Sequence, residues 1–151
     1  MQAFPSRSKK RPQSNRKADS RKQQVGRPPK ILVVEDHQDS REILVFQLEQ
    51  MSFKEIVEAA SGEQGIERAL GELPDVIIMD LGLPGINGIE AARRIKENPL
   101  TAHIPIIALT AWREEDFKDR AMEAGMAGYL TKPAPPQILR QVIERALKVS
   151  P

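Results

Sequence analysis

From position 31 onward, apolar residues follow two alternating rhythms. Ile31 to Val34, Val76 to Met79 and Ile104 to Leu109 are short unbroken apolar runs closed by polar or turn residues. Runs of that length predict strands covered on both faces. Glu55 to Ala60 and Ala127 to Thr131 are more mixed and predict weaker strands. Between the runs, the spacing predicts helices over Ser40 to Met51, Gly62 to Leu73, Gly88 to Glu97, Glu114 to Ala124 and Pro136 to Lys148. In the first of these, Ile43, Leu44, Phe46, Gln47 and Leu48 keep helical phase. The order is strand then helix five times over, which predicts an α/β domain with one parallel sheet and helices on both faces. Met79, Met122 and Met126 are expected to fill its core.

The character of each strand suggests its place. The first, third and fourth are continuously apolar, as interior strands of a parallel sheet should be, whereas the second carries Glu55 and Glu58 and the fifth is short and polar. Strands 2 and 5 therefore belong at the edges, which the doubly wound order 2-1-3-4-5 provides. In that order ligands sit outside the carboxyl ends of strands 1 and 3. Strand 3 ends in Asp80, strand 1 in Glu35 and Asp36, strand 4 in Thr110 and strand 5 in Lys132. One fold would gather all five residues at a single edge.

Charge divides the chain. Residues 1 to 30 hold ten Lys and Arg against Asp19 alone, a balance of +9. The rest holds 13 basic and 20 acidic residues, a balance of −7, and together they give the net +2. With almost nothing apolar to bury, residues 1–29 are expected to be a disordered basic tail, and residues 30–149 the folded domain. The chain has no cysteine, which excludes disulfides, thiolate metal sites and cysteine nucleophiles. No apolar run approaches the roughly 18 residues of a membrane helix, and no secretory pattern follows the basic start. A cytoplasmic protein is expected.

The gathered residues suggest a chemistry. Three carboxylates packed together repel one another unless a cation sits among them, and oxygen-only ligands favour a hard ion such as Mg²⁺. A carboxylate can also attack phosphorus, and the transfer depends on neutralising charge around the phosphoryl oxygens. Lys132 and Mg²⁺ could supply that neutralisation, Thr110 a hydroxyl donor, and the small Ala111 room beside it. Taken singly, each residue has a plainer reading: Glu35 and Asp36 as acids at a helix start, Asp80 as a loop residue, Thr110 as a helix cap, Lys132 as surface. Their joint order at strand ends favours the site.

These stretches resemble the receiver domain of two-component response regulators, over roughly residues 30 to 149. The matching elements are "ILVVEDH", "DVIIMDLGLPGINGIE" with its Pro-x-x-x-Gly, "IPIIALTA" and "GYLTKP". The resemblance implies the flavodoxin-like receiver fold, with Asp80 as phospho-acceptor from a sensor histidine kinase or phosphotransfer protein. It implies Mg²⁺ held by Glu35, Asp36, Asp80 and the backbone carbonyl of Gly82. It also implies catalytic roles for Lys132 and Thr110, a switch made by Thr110 and Tyr129, and a cis Lys132–Pro133 bond. Such a domain is not an enzyme beyond its own phosphorylation and dephosphorylation.

Several positions depart from the commonest pattern. Gly82 has no side chain two residues after Asp80, and Trp112 is expected to shield the phosphoryl group from water. Ala134 stands where an aromatic often follows Lys-Pro, which is expected to alter packing at the start of the fifth helix. Leu83, Pro84 and Ile86 would contact a kinase or simply pack the loop, and His37 and His103 are assigned no role. Only "VSP" follows the last helix, so output is expected through a separate protein partner. The basic tail offers an alternative reading as a nucleic-acid-binding regulator. Its "GRPPK" resembles an AT-hook core, but Val25 stands where a second arginine would be, favouring a solvated linker or an over-extended gene start. An aspartate-nucleophile phosphatase is disfavoured because it needs a second acid where Gly82 stands. A mononucleotide binder is disfavoured because "EDHQDS" is too acidic to cradle a phosphate.

Overall fold

Alternate residues of each strand serve two different cores. Leu32, Val34, Ile77, Met79, Ile106 and Ala108 point into one, while Ile31, Val33, Val76, Ile78, Ile107 and Leu109 point into the other. This is the two-residue period of extended chain applied to strands buried on both faces. The structure, a computed structural model, describes residues 26–149. The basic segment expected to be disordered therefore lies, over residues 1–25, outside the described residues.

The strands are β1 (Lys30–Val34), β2 (Glu55–Ala59), β3 (Val76–Met79), β4 (Ile106–Thr110) and β5 (Gly128–Thr131). The helices are α1 (Gln38–Gln50), α2 (Gly62–Glu72), α3 (Gly88–Glu97), α4 (Glu115–Glu123) and α5 (Pro136–Val149). All strand pairs are parallel in the order β2-β1-β3-β4-β5, as the edge-strand reading requires. One core takes Ala69 of α2, Ala91, Ala92 and Ile95 of α3, and Ala121 of α4. The other takes Leu44 and Leu48 of α1 and Leu139, Ile143 and Ala146 of α5. Burying each large aliphatic side chain contributes roughly 1.5–3 kcal/mol. No helix among the described residues is long and apolar enough to cross a membrane.

Element types agree with the sequence reading, and the ends differ for identifiable reasons. The fourth strand begins at Ile106 rather than Ile104. Pro105 cannot donate to the ladder, although its carbonyl accepts from Ile77 N–H at 3.0 Å. The first helix begins at Gln38, with His37 as an N-cap whose side chain makes no capping bond. Ser61 and Asn87 do cap α2 and α3, accepting from the N–H groups of Gln64 and Glu90.

One apolar expectation needs correction. Met79 and Met126 are core residues, but Met122 is 46% exposed. A helix turns roughly 100° per residue, and on α4 it is Ala121 that faces the sheet, leaving Met122 turned away. On α1, Leu44 and Leu48 are buried four residues apart, whereas Ile43 and Phe46 are each 60% exposed. Helical phase was legible there, but only half of the apolar set lies on the buried stripe.

At the amino end of the sheet the chain enters beside acidic residues. Lys30 N–H donates to the Asp75 carboxylate at 2.7 Å, its ammonium reaches Glu72 at 3.1 Å, and Arg27 lies 3.6 Å from Asp75. At the carboxyl end, the loop after β3 folds back so closely that α3 must start with glycine. A Cβ on Gly88 would lie 2.3 Å from the carbonyl oxygen of Asp80 and 2.7 Å from Leu81 Cα. Gly88 N–H also donates to Leu81 O at 2.9 Å, fixing the loop at that approach. Gly88→Ala should therefore destabilise the fold by roughly 1–3 kcal/mol, the range for forced overpacking. Urea unfolding would show a lower midpoint with an unchanged slope.

Candidate functional site

The carboxyl ends of β1 and β3 bring three acids together. Glu35 and Asp36 follow β1 directly, and Asp80 follows β3, its N–H donating to Val34 O at 3.0 Å across the pair. One carboxylate oxygen from each of Glu35, Asp36 and Asp80 lies within 4.8 Å of the other two. Glu35 is the deepest, its side chain only 4% exposed. Its N–H continues the sheet ladder to Ala59 O, and its carbonyl accepts from Arg41 at 2.8 Å. Arg41 also pairs with Glu58 on the β2 edge. The sequence reading missed Arg41; its only signal was its place one turn into α1, facing an acidic edge strand.

Among the described residues, a single side-chain cation reaches these carboxylates, Lys132, just after the last strand. The Lys132 ammonium donates to Glu35 Oε1 at 2.5 Å and to Asp80 Oδ2 at 3.3 Å. Burial alone would lower the lysine pKa, but the Glu35 hydrogen bond and the Asp80 charge outweigh it, and the value lies above the ordinary one. The other oxygens are also engaged: Glu35 Oε2 accepts from His37 N–H at 3.1 Å, and Asp80 Oδ1 from Gly82 N–H at 3.1 Å. His37 thus contributes its backbone, while its side chain and that of His103 are exposed.

Thr110 is fully buried at the end of β4, and its hydroxyl accepts from Trp112 N–H at 3.3 Å. That leaves its own proton free to be donated. Tyr129 sits on β5 opposite Ala108, and its hydroxyl donates to Trp112 O at 2.7 Å. Burial, with Glu114 adding its charge, raises the tyrosine pKa. The half-buried Trp112 indole lies against Gly82, with Nε1 3.4 Å from where a Cβ would stand. Its ring packs on Phe117 with centroids 4.4 Å apart. The Lys132–Pro133 bond is cis.

The structure therefore brings Glu35, Asp36, Asp80 and Lys132 into one cluster, with Thr110 and Tyr129 joined to it through the β4–α4 loop. In the β3–α3 loop, Leu83 is buried and Ile86 packs on the core, so both serve loop packing, while Pro84 is exposed. Beside Lys132 a cavity of about 180 Å³ is lined by Ile43, Leu44, Leu109, Ala134 and Leu139. The small Ala134 leaves that space at the entry to α5. The donor set of the acidic cluster is all oxygen, which fits a hard divalent cation. Glu35, Asp36 and Asp80 could hold one.

Comparison with known proteins agrees with this geometry. The family profile of the response regulator receiver domain matches residues 31–144. The phosphate regulon transcriptional regulatory protein PhoB of Pseudomonas aeruginosa is 41% identical over 118 residues, covering 78% of this chain and 51% of that protein. The chain thus spans about half the length of the curated relatives it matches. A crystal structure described as a response regulator from Chloroflexus aurantiacus superposes with a TM-score of 0.77 at 36% identity, covering 81% of this chain and 99% of that one. The receiver domain of a Pseudomonas aeruginosa sensor histidine kinase, solved with a magnesium ion in its active site cleft, gives 0.75 at 30% identity, covering 81% and 99%.

The Lys132 pair lends itself to a direct test. Lys132→Met leaves the buried Glu35 carboxylate without its cation and should cost roughly 1–3 kcal/mol, discounted because the lysine side chain is 30% exposed. In a double-mutant cycle with Glu35→Gln, the coupling should be roughly 0.5–3 kcal/mol. Because the Lys132 pKa is raised in the folded state, this stabilisation is whole below the ordinary value of 10.5 and is lost as pH rises through the higher folded value. Urea unfolding at pH 7 and above pH 11 measures both.

Proposed function

Because the chain belongs to the response regulator receiver domain family, we propose that it is a phospho-accepting switch with Asp80 as the acceptor. Receiver domains are signalling domains rather than classical enzymes, and turnover here is limited to its own phosphorylation and hydrolysis. The observation that carries the reading is the Lys132 ammonium reaching both Glu35 and Asp80 beside three carboxylates at the carboxyl ends of β1 and β3. Residues 30–149 form the receiver unit, and residues 1–29 a separate basic segment.

In this reading an Asp80 oxygen attacks the phosphorus of a phosphohistidine on a kinase or phosphotransfer protein. The phosphorus–nitrogen bond breaks, and the electron pair leaves with the imidazole. Charge then accumulates on the phosphoryl oxygens at the position now faced by Lys132. The ammonium, charged at neutral pH like any ordinary lysine, moves from its carboxylate partners to those oxygens. Thr110 turns its free proton toward the same group. Glu35, Asp36, Asp80 and the Gly82 carbonyl would hold Mg²⁺, which when bound supplies further charge neutralisation.

The response is a change of shape. Thr110 now accepts the Trp112 N–H, so drawing its hydroxyl toward a phosphoryl group loosens the segment that Trp112 begins. Tyr129, held to the Trp112 carbonyl, follows that movement on β5. A partner protein reads the difference.

Incubation with acetyl phosphate and Mg²⁺ should add one phosphoryl group by intact-protein mass. The adduct should be absent without Mg²⁺ and absent in Asp80→Asn. A labelled Asp80→Asn protein would remove the assignment. Trp112→Ala, which uncovers the Gly82 side of the site, should shorten the lifetime of the adduct; an unchanged or longer decay would remove that role for the indole.

A further inference from the structure

The β4–α4 segment is tied to both walls of the Asp80 site. On one side the Trp112 indole rests against Gly82 of the β3–α3 loop. On the other, the Arg113 guanidinium donates to the Lys132 carbonyl at 3.1 Å, across 19 residues of sequence. Lys132 N–H in turn donates to Thr110 O at 2.8 Å. Both peptide groups flanking the Lys132 α-carbon are thus held by the segment that carries Thr110 and Trp112. Between these anchors, Tyr129 holds the Trp112 carbonyl at 2.7 Å.

We propose that Arg113 is a positioning residue, the latch that holds Trp112 across the mouth of the Asp80 site and thereby sets access to it. The inference rests on the phospho-acceptor reading of Asp80 and adds a control on it. Arg113 is itself exposed and touches no reacting group; it acts through Trp112. Among the described residues, Arg113 is the exposed one of the side chains that anchor the segment, Trp112 and Tyr129 being partly buried. Breaking its bond frees the segment on the β5 side while Thr110, Tyr129 and the acidic cluster keep their own contacts. A barrier at the mouth opposes small donors and attacking water alike. Removing the latch therefore speeds phosphoryl uptake and hydrolysis by the same factor and leaves the steady-state extent of phosphorylation unchanged.

The test uses the full chain. Arg113→Ala should accelerate both uptake from acetyl phosphate and hydrolysis by about fivefold, the scale set by one net hydrogen bond. Arg113→Lys, which keeps a donor, should restore both rates toward wild type. A readout that needs no phosphoryl group is acrylamide quenching of Trp112, the chain's one tryptophan. Quenching should rise in Arg113→Ala and return in Arg113→Lys. Unchanged quenching overturns the latch whatever the phosphorylation result. Raised quenching with unchanged rates, or with only one rate altered, overturns its control of access. A wild-type protein that takes no phosphoryl group overturns the parent reading, and the access role with it, while the quenching still reports whether Arg113 holds Trp112.

Discussion

Three carboxylates at one end of a parallel sheet are a source of repulsion that the fold must contain. The sheet creates the crowding, because strands β1 and β3 are neighbours and each ends in acid. It also supplies the containment, because the edge strand β5 delivers Lys132 from its carboxyl end into the same space. Nothing local could do this: Glu35 and Lys132 are 97 residues apart. The ammonium is held where it reaches both Glu35 and Asp80.

The same arrangement explains why the site connects to a surface. Lys132 N–H donates to the Thr110 carbonyl and Trp112 N–H to the Thr110 hydroxyl, so Thr110 links the two residues directly. Tyr129 extends this chain of contacts onto the edge strand, where it is partly exposed. Two-state behaviour needs such an element, one whose bonds can be satisfied in more than one arrangement.

Much of this could be read from residue order. Strand character placed β2 and β5 at the edges because acids at Glu55 and Glu58 cannot be buried, and that placement alone put Glu35, Asp36, Asp80, Thr110 and Lys132 at one edge. Pro84 and Gly88 marked a loop whose tight return the backbone of Asp80 explains. What could not be read was side-chain direction. Helical phase does not say which of Ile43, Leu44, Phe46 and Leu48 face inward, and methionine content does not separate Met122 from Met126. Arg41 and Arg113 act by donating to main-chain carbonyls, and a carbonyl carries no signature in the sequence. Whether Trp112 covers the site depended on the missing Gly82 side chain, a contact visible only once the two loops are placed together.

The pairing of Arg27 and Lys30 with Asp75 and Glu72 fixes the direction in which the chain approaches the sheet. It arrives at the amino end of β1, so the length of that strand, about 15 Å, separates its root from Asp80. A reporter or fusion joined just ahead of Gly26 would enter the described domain at the end remote from the acidic cluster. The two ends of the sheet can thus be occupied at once without competing for the same ground.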